Sequence, residues 1–223
     1  MTRRVDLAIT GGEVLTMTDA GTAVDTDVLV HDGSIVALVP TTNNCHTHIG
    51  SNVLLRGMNE DVRLFEWLQS MWHLKQNFDH ETLRLASLAG LAEMALSGIT
   101  SFHEHFDAYA VQPEIAALVI VPMRATLGYG FADIGLYADV ADWTYRALDH
   151  FGDYVAAYHG AHAGRLQISL SPHATYSCTE RLWKRCSEVA AEYDLAIHTH
   201  LSEGQQEHSY VLKQYGTTPA GWL

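Results

Sequence analysis

Short β-rich segments alternate with amphipathic helical segments over most of this chain of 223 residues. The β-rich runs fall at residues 99–102, 123–127, 166–170 and 195–199. The hydrophobic period predicts helices near 140–151, from a Thr179 cap onward, and near 205–215. This alternation indicates βαβ units and a parallel sheet, which either closes as a barrel or stays open as a doubly wound fold.

Two more helices are predicted ahead of residue 99. The first covers residues 61–74, with Asp61 available as its N-cap. The second begins at an Asp79 cap and ends before Gly98, which is suited to the C′ position of a helix. These helices extend the α/β pattern toward the N-terminus.

The N-terminal residues have a different pattern. Short β-rich runs at 5–9, 13–17, 27–30 and 35–39 are separated by glycine-containing turns, Asp32-Gly33 among them. We therefore predict two parts: residues 1–43 belong to a small β-sandwich domain, and residues 44–223 form the α/β part.

Histidines follow the predicted strands and favour the barrel. His48, His103 with His105, His173 and His200 each come directly after a different β-rich run or candidate strand. In a (β/α)8 barrel the functional groups lie just past the carboxyl ends of several strands. The pattern thus predicts a TIM-type barrel with a site at its mouth.

The composition narrows the class of partner. Fourteen histidines exceed the 13 Lys and Arg residues, and 26 Asp and Glu give a net charge of −13. An acidic chain is a poor ligand for nucleic acid or an anionic membrane, so we expect a small-molecule partner. Three scattered cysteines and the lack of a long apolar segment or signal-like N-terminus favour a reducing, cytoplasmic location.

Two His-x-His pairs suggest a metal site. His46 with His48, and His198 with His200, have the spacing that puts both side chains on one side of a strand. Imidazole is a common ligand for zinc and similar cations, and a catalytic site needs about three ligands. His198 is either a ligand or a packed, hydrogen-bonded residue. Glu203 follows at the strand exit, where a general acid/base would stand.

Other polar and aromatic residues admit two interpretations. His173, in the loop after a strand, either contacts substrate or hydrogen-bonds within its turn. For His103-Glu104-His105 we expect exposed polar residues rather than a place in the site. Trp67 and Trp72 are expected in the helix core. Arg56, Glu60 and Asp61 either shape a pocket rim or are solvated, and Cys186 is expected to be buried.

Several motifs together resemble those of the amidohydrolase superfamily, and more narrowly its cytosine deaminase-like branch. That branch holds the methylthioadenosine and S-adenosylhomocysteine deaminases, guanine deaminases and triazine hydrolases. The motifs, in chain order, are Asn44-Cys45-His46-Thr47-His48 with Leu54-Leu55-Arg56-Gly57, Glu93-Met94 with Ser97-Gly98-Ile99-Thr100, Ser171-Pro172-His173-Ala174-Thr175-Tyr176, and His198-Thr199-His200-Leu201-Ser202-Glu203.

The resemblance implies a (β/α)8 barrel, here with about five βα units, and an attached β-sandwich. It implies one divalent metal ion, zinc first and iron as the alternative, held by His46, His48 and His200. Glu203 would be the catalytic proton shuttle and His173 a substrate contact. The implied reaction is hydrolytic deamination of a purine, pyrimidine or triazine type N-heterocycle by a metal-activated water. Homo-oligomers are frequent among such relatives.

Three departures from the family pattern keep alternatives open. The family's sixth-strand histidine and eighth-strand aspartate would lie after Leu223, and no apolar strand leads into His46, so we expect residues to be missing in both places. Tyr129-Gly130 stands where binders of adenosyl thioethers carry Arg-Gly, so that substrate class is not carried over. The alternatives are hydrolytic dechlorination or dealkylamination of a triazine-like ring, and a catalytically incomplete metal-binding fragment.

Overall fold

The N-terminal strands form antiparallel sheets. The structure is a computed structural model that describes residues 7–9, 14–15, 22–23, 26–40, 43–59, 61–105 and 111–223. The strands here are β1 (Leu7–Ile9), β2 (Val14–Leu15), β3 (Thr22–Ala23), β4 (Thr26–His31) and β5 (Ser34–Pro40). The sheet order is β1-β4-β5, and β2 pairs with β3. The runs predicted at 27–30 and 35–39 are confirmed as β4 and β5, while parts of the predicted runs at 5–9 and 13–17 lie outside the described residues. The small β-sandwich domain over residues 1–43 stays a prediction.

The predicted Asp32-Gly33 turn joins β4 to β5. Asp32 has a φ of 50° and Gly33 a φ of 72°, both in the left-handed region. Two-residue hairpin loops of type I′ require positive φ at both central positions, which Asp-Gly supplies at low cost. The turn sets the pairing of His31 with Ser34.

The second part of the chain forms a parallel sheet. Its strands are β6 (Asn43–Thr47), β7 (Ser101–His105), β8 (Arg124–Phe131) and β9 (Leu166–Pro172), in the order β6-β7-β8-β9. All three pairings are parallel. The α/β prediction is confirmed at this level, while closure into eight strands stays a prediction.

The strand predicted at residues 195–199 is wrong in extent. It is reduced to one bridge, between Leu170 and Ile197. The segment starts to pair with β9, because the Leu170 N–H donates to the Ala196 carbonyl and the His198 N–H donates to the Leu170 carbonyl. The regular pairing then stops, because the Thr199 hydroxyl and the His200 N–H both donate to the His173 carbonyl.

His46 lies in β6 and His48 directly follows it, although no apolar strand leads into the motif; that residues are missing there stays a prediction. β6 consists of polar residues, and its pairing with β7 shifts register between Asn44 and Thr47. The shift is a β-bulge that puts Cys45 and His46 opposite one residue of β7. Backbone hydrogen bonds to β7 therefore hold this segment without an apolar side-chain pattern.

The helices cover the sheet and the site. They are α1 (Asn52–Leu55), α2 (Leu64–Lys75), α3 (His80–Leu96), α4 (Gln112–Ile120), a 3₁₀ helix (Gly135–Val140), α5 (Ala141–Asp149), α6 (Phe151–Tyr158), α7 (Glu180–Tyr193), α8 (Gln205–Tyr215) and α9 (Pro219–Trp222). The helix predicted near 140–151 ends at His150, where a new helix starts. None of the described helices is long and apolar enough to cross a bilayer.

The helix caps were mostly predictable. Asp79 accepts a hydrogen bond from the Thr82 N–H at 2.8 Å, so it caps α3. Gly98, at a φ of 79°, donates to the Ala95 carbonyl, and Ile99 donates to the Met94 carbonyl, which together make a Schellman motif. The Asp61 cap was wrong. The N-cap of α2 is Arg63, whose side chain makes no capping bond.

The core lies between the sheet and the helices. Leu127, Leu170 and Leu182 are completely buried, and so is Cys186, as predicted. In α7 the buried positions recur at helical spacing, which places that face on the sheet. This packing fixes the carboxyl ends of the strands, where the histidines lie.

Candidate metal centre

Histidines from four places in the chain meet at the carboxyl ends of the parallel strands. His46 lies in β6 and His48 directly follows the strand, and the ring centroids of these two residues are 4.9 Å apart. The His200 ring lies 4.8 Å from His46 and 5.3 Å from His48. Parallel strands bring their carboxyl ends to one edge, so residues separated by about 150 positions become neighbours.

His46, His48 and His200 form a group that could hold a metal ion. One nitrogen from each ring lies within 4.8 Å of the other two, and His48 Nε2 is 3.3 Å from His200 Nε2. Two nitrogens bound tetrahedrally to one zinc ion, each at about 2.0–2.1 Å, would be roughly 3.3–3.4 Å apart. The spacing and the imidazole donors therefore fit a divalent ion.

The surroundings keep these imidazoles neutral. Burial lowers the pKa of His46 and, helped by the neighbouring His48 and His46, lowers the pKa of His200 to about 3. A neutral imidazole carries the lone pair that a metal needs. His200 Nδ1 lies 3.1 Å from the His173 carbonyl, to which it donates, and this leaves the lone pair on Nε2.

His173 is buried beside the triad. Its Nδ1 is 2.7 Å from Ser177 Oγ, and its ring centroid is 5.0 Å from that of His200. Burial, followed by the nearby His200, holds the pKa of His173 well below its ordinary value. The ring hydrogen-bonds within its turn, which is one of the two interpretations, and it also lines the cavity described next, so a substrate contact stays a prediction.

A cavity of about 680 Å³ opens in front of the triad. Helix α2 supplies apolar and aromatic side chains to its lining, and the triad, His173 and Glu203 supply polar groups. The lining includes His46, His48, Leu55, Arg56, Met58, Trp67, Leu68, Met71, Trp72, Lys75, Tyr137, His173, His200 and Glu203. Such a mixture of an apolar wall and a few convergent polar groups is typical of a small-molecule site.

The structure corrects the prediction for Trp67 and shows where Arg56 and Asp61 lie. Trp72 is buried as expected, but Trp67 is 36% exposed, so it is a wall residue rather than a core residue. Arg56 borders the cavity and pairs with Glu93 at 2.7 Å. Asp61 is exposed, and Glu60 lies outside the described residues.

Glu203 stands at the cavity, after the triad and before α8. Its Oε2 accepts a hydrogen bond from the Tyr176 hydroxyl at 2.9 Å. Burial raises the pKa of Glu203, the Tyr176 hydrogen bond lowers it, and the charge of Glu207 raises it again. The net direction is upward, which is the direction expected of a carboxyl that serves as a general acid/base.

The expectation that His103-Glu104-His105 is exposed was wrong. Glu104 and His105 are completely buried in β7, and Glu104 Oε2 accepts from the Ile49 N–H at 2.9 Å. The His105 ring lies 4.0 Å from the His200 ring. A strand of a parallel sheet is covered on both faces, and that property could have predicted the burial.

His198 lies next to the triad but outside it. Its Nε2 is 3.1 Å from His46 Nδ1, and its ring stacks near that of His103 at a centroid distance of 3.9 Å. Burial lowers the pKa of His198. Of the two interpretations, the packed and hydrogen-bonded one agrees with this geometry.

Comparison with known proteins gives the family. Residues 37–221 match the model of the amidohydrolase family. The chain belongs to the amidohydrolase family. It is 34% identical over 197 residues to a 5-methylthioadenosine/S-adenosylhomocysteine deaminase of Pyrococcus furiosus, covering 87% of this chain and 45% of that protein. It is 30% identical over 223 residues to a 5'-deoxyadenosine deaminase of Methanothermobacter thermautotrophicus, covering 99% and 50%.

Solved structures agree with the fold. An adenosine deaminase from Xanthomonas campestris with bound zinc superposes with a TM-score of 0.70 at 25% identity, over 98% of this chain and 54% of that one. A triazine hydrolase from Arthrobacter aurescens gives a TM-score of 0.70 at 22% identity, over 95% and 55%. This amidohydrolase chain thus spans about half the length of the relatives it matches.

Proposed function

We propose that this chain carries the metal-binding half of a site that hydrolytically deaminates an amino-substituted N-heterocycle. The observation that carries the proposal is the meeting of the three imidazoles with the Glu203 carboxyl at one cavity. The described sheet would be part of a (β/α)8 barrel, with residues 1–43 in an attached β-sandwich. The partner is a small heterocycle, as the names of the deaminase relatives suggest for those proteins.

His46, His48 and His200 would hold one divalent ion. Zinc is the first choice, because imidazole suits it and the adenosine deaminase with a similar fold contains bound zinc. Iron remains the alternative for the same donor set. When bound, such an ion supplies Lewis acidity that makes water acidic enough to act as a nucleophile near neutral pH.

Glu203 would move the proton during the reaction. In hydrolytic deamination a C–O bond forms at the ring carbon, the C–N bond breaks, and ammonia leaves with a proton that came from water. The raised pKa of Glu203 suits a group that takes this proton and then donates it to the amino nitrogen. The Tyr176 hydroxyl holds the carboxylate by its Oε2.

The cavity would bind and orient the ring. Trp67 and Trp72 contribute aromatic side chains to the lining of the cavity, and His173 lines the same cavity next to His200. A flat, electron-poor heterocycle between these groups could stack on the apolar wall and receive a polar contact from His173. Purines, pyrimidines and triazines are all flat, electron-poor rings of this kind.

Ammonia release tests the proposal. We expect the zinc-loaded protein to release one ammonia per ring converted from at least one aminopurine, aminopyrimidine or aminotriazine. Glu203→Gln should keep zinc and lower turnover roughly 10²–10⁴-fold, because it removes the proton-transferring group. Glu188→Gln, at an exposed position, is the control and should be unaffected.

The same panel separates the alternatives. Release of chloride or an alkylamine without ammonia would show that the reaction is dechlorination or dealkylamination rather than deamination. Zinc bound at the triad with no product from any ring would favour a metal-binding protein without turnover. Undiminished ammonia release by Glu203→Gln would reject Glu203 as the proton shuttle.

A further inference from the structure

Glu207 is a completely buried carboxylate whose two oxygens bind two different segments of the site. It lies in the first turn of α8. Oε1 accepts a hydrogen bond from the Thr175 hydroxyl at 2.6 Å, and Oε2 accepts one from the backbone N–H of Glu203, also at 2.6 Å. Hydrogen bonds to a charged acceptor are short and strong, and a buried charge depends on them. Glu207 therefore ties these two segments together.

The segments that Glu207 holds are the ones that determine where the Glu203 carboxyl points. Thr175 precedes Tyr176, whose hydroxyl donates to Glu203 Oε2 at 2.9 Å. The contacts thus form a closed ring that runs from Glu207 to Thr175, along the backbone to Tyr176, across to the Glu203 side chain, and back through the Glu203 amide. Both the backbone and the side chain of Glu203 are fixed in this ring.

The backbone around Glu203 turns sharply and needs such an anchor. Ser202 has a φ of 57°, in the left-handed region, and Gly204 is extended at a φ of −168°. In a capping box the glutamate at N3 accepts from the N–H of the N-cap residue. Glu207 is at N3 of α8, but it accepts from Glu203, one residue before the Gly204 N-cap. The capping bond is thereby shifted to the proposed proton shuttle.

We propose that Glu207 is the positioning residue for Glu203, holding its backbone and, through Thr175 and Tyr176, its carboxyl in the reactive orientation. The catalytic consequence rests on the proposed function, but the positioning itself is a property of the fold. The charge of Glu207 also raises the pKa of Glu203, after the larger effect of burial. Glu207 does not contact substrate in this account, so it is not a catalytic residue.

Amide hydrogen exchange of the zinc-loaded protein tests the positioning without any substrate. The N–H of a residue just before a helix has no partner within the helix and usually exchanges fast. We expect the Glu203 amide to be protected in the wild type and in Glu207→Gln, which keeps an acceptor oxygen. In Glu207→Ala it should exchange about tenfold faster or more, with α7 amides unchanged.

Glu114→Ala is the matched control, because Glu114 is also a buried glutamate in the first turn of a helix, α4, and that helix packs against α3. It should leave the Glu203 amide protected. Fast exchange of that amide in the wild type would overturn the proposal even if Glu207→Ala failed to fold. Unchanged exchange in Glu207→Ala would overturn it as well.

Kinetics then separates positioning from general stability. With a ring that the protein deaminates, Glu207→Ala should lower kcat by about 10–100-fold with little change in KM, since the ring is still bound but the shuttle is misplaced. Glu207→Gln should restore most of the loss, and Thr175→Val should show a smaller one. A kcat equal to wild type in Glu207→Ala would reject the proposal, whereas failure to find any substrate would reject only the proposed function.

Discussion

The three histidines of the triad are held to different degrees. His46 is exposed and hydrogen-bonds His198, whereas His200 is half-buried and anchored to a backbone carbonyl. Neither arrangement includes a negatively charged group that would keep the ring protonated, and burial favours the neutral form of both. The protein therefore offers preformed neutral nitrogens rather than cations.

Removing either of two triad members should release the metal. We expect His46→Ala and His200→Ala to lower bound zinc from about one ion per chain to a small fraction, because two imidazoles alone give a weak site. Elemental analysis after dialysis measures this. His150→Ala, at an exposed position between α5 and α6, should keep the wild-type zinc content. Full zinc content in both triad variants would contradict the ligand assignment.

Residue patterns predicted part of this site and missed another part. The His-x-His spacing pointed to His46, His48 and His200, although of these only His46 lies within a strand. Glu104 and His105 were missed because their burial depends on residues distant in the chain that pack against β7, which the residues of β7 do not reveal locally. Trp67 was missed for a related reason, since helical periodicity does not distinguish core from cavity wall.

At the scale of elements, capping side chains link helices to the strand ends. Thr179 Oγ1 accepts from the Leu182 N–H at 3.2 Å and donates to Asp133 Oδ2 at 2.6 Å. Asp133 Oδ1 also accepts a hydrogen bond from the Thr179 N–H. Asp133 lies two residues after the end of β8. The start of α7 is therefore fixed to the loop after β8.

Thr179→Ala should destabilise the protein by about 1–2 kcal/mol, because it removes the cap of α7 and a partner of Asp133. For a chain of this size the loss corresponds to a fall in Tm of roughly 2–8 °C, measured by calorimetry. Thr179→Ser keeps the hydroxyl and should lie close to the wild type. Equal Tm values for the alanine variant and the wild type would show that the cap contributes nothing.

Helices were easier to predict than strands. Thr179, Asp79 and Gly98 carry local signals, so the ends of α3 and α7 follow from a few residues. β6 has a polar sequence and owes its existence to backbone bonds with β7, which are long-range and invisible in the local pattern. At residues 195–199 a strand was predicted from a suitable sequence, but the backbone after Ile197 hydrogen-bonds to the His173 carbonyl instead of continuing a strand.

At the scale of the molecule, chain order predicted the order of the sheet. Successive βαβ units add strands side by side, and the observed order β6-β7-β8-β9 follows that rule. The net charge of −13 predicts a small-molecule partner rather than a nucleic acid or an anionic membrane, and this stays a prediction. Closure of the sheet into a barrel stays a prediction, because the chain spans about half the length of its relatives.

Anomalous diffraction at the zinc absorption edge, from crystals of the zinc-loaded protein, tests the central claim most directly. The account predicts one strong peak about 2.0–2.3 Å from a ring nitrogen of each of His46, His48 and His200, with the Glu203 carboxyl facing the same cavity. A peak held by other residues, or no peak at the triad under saturating zinc, would contradict it.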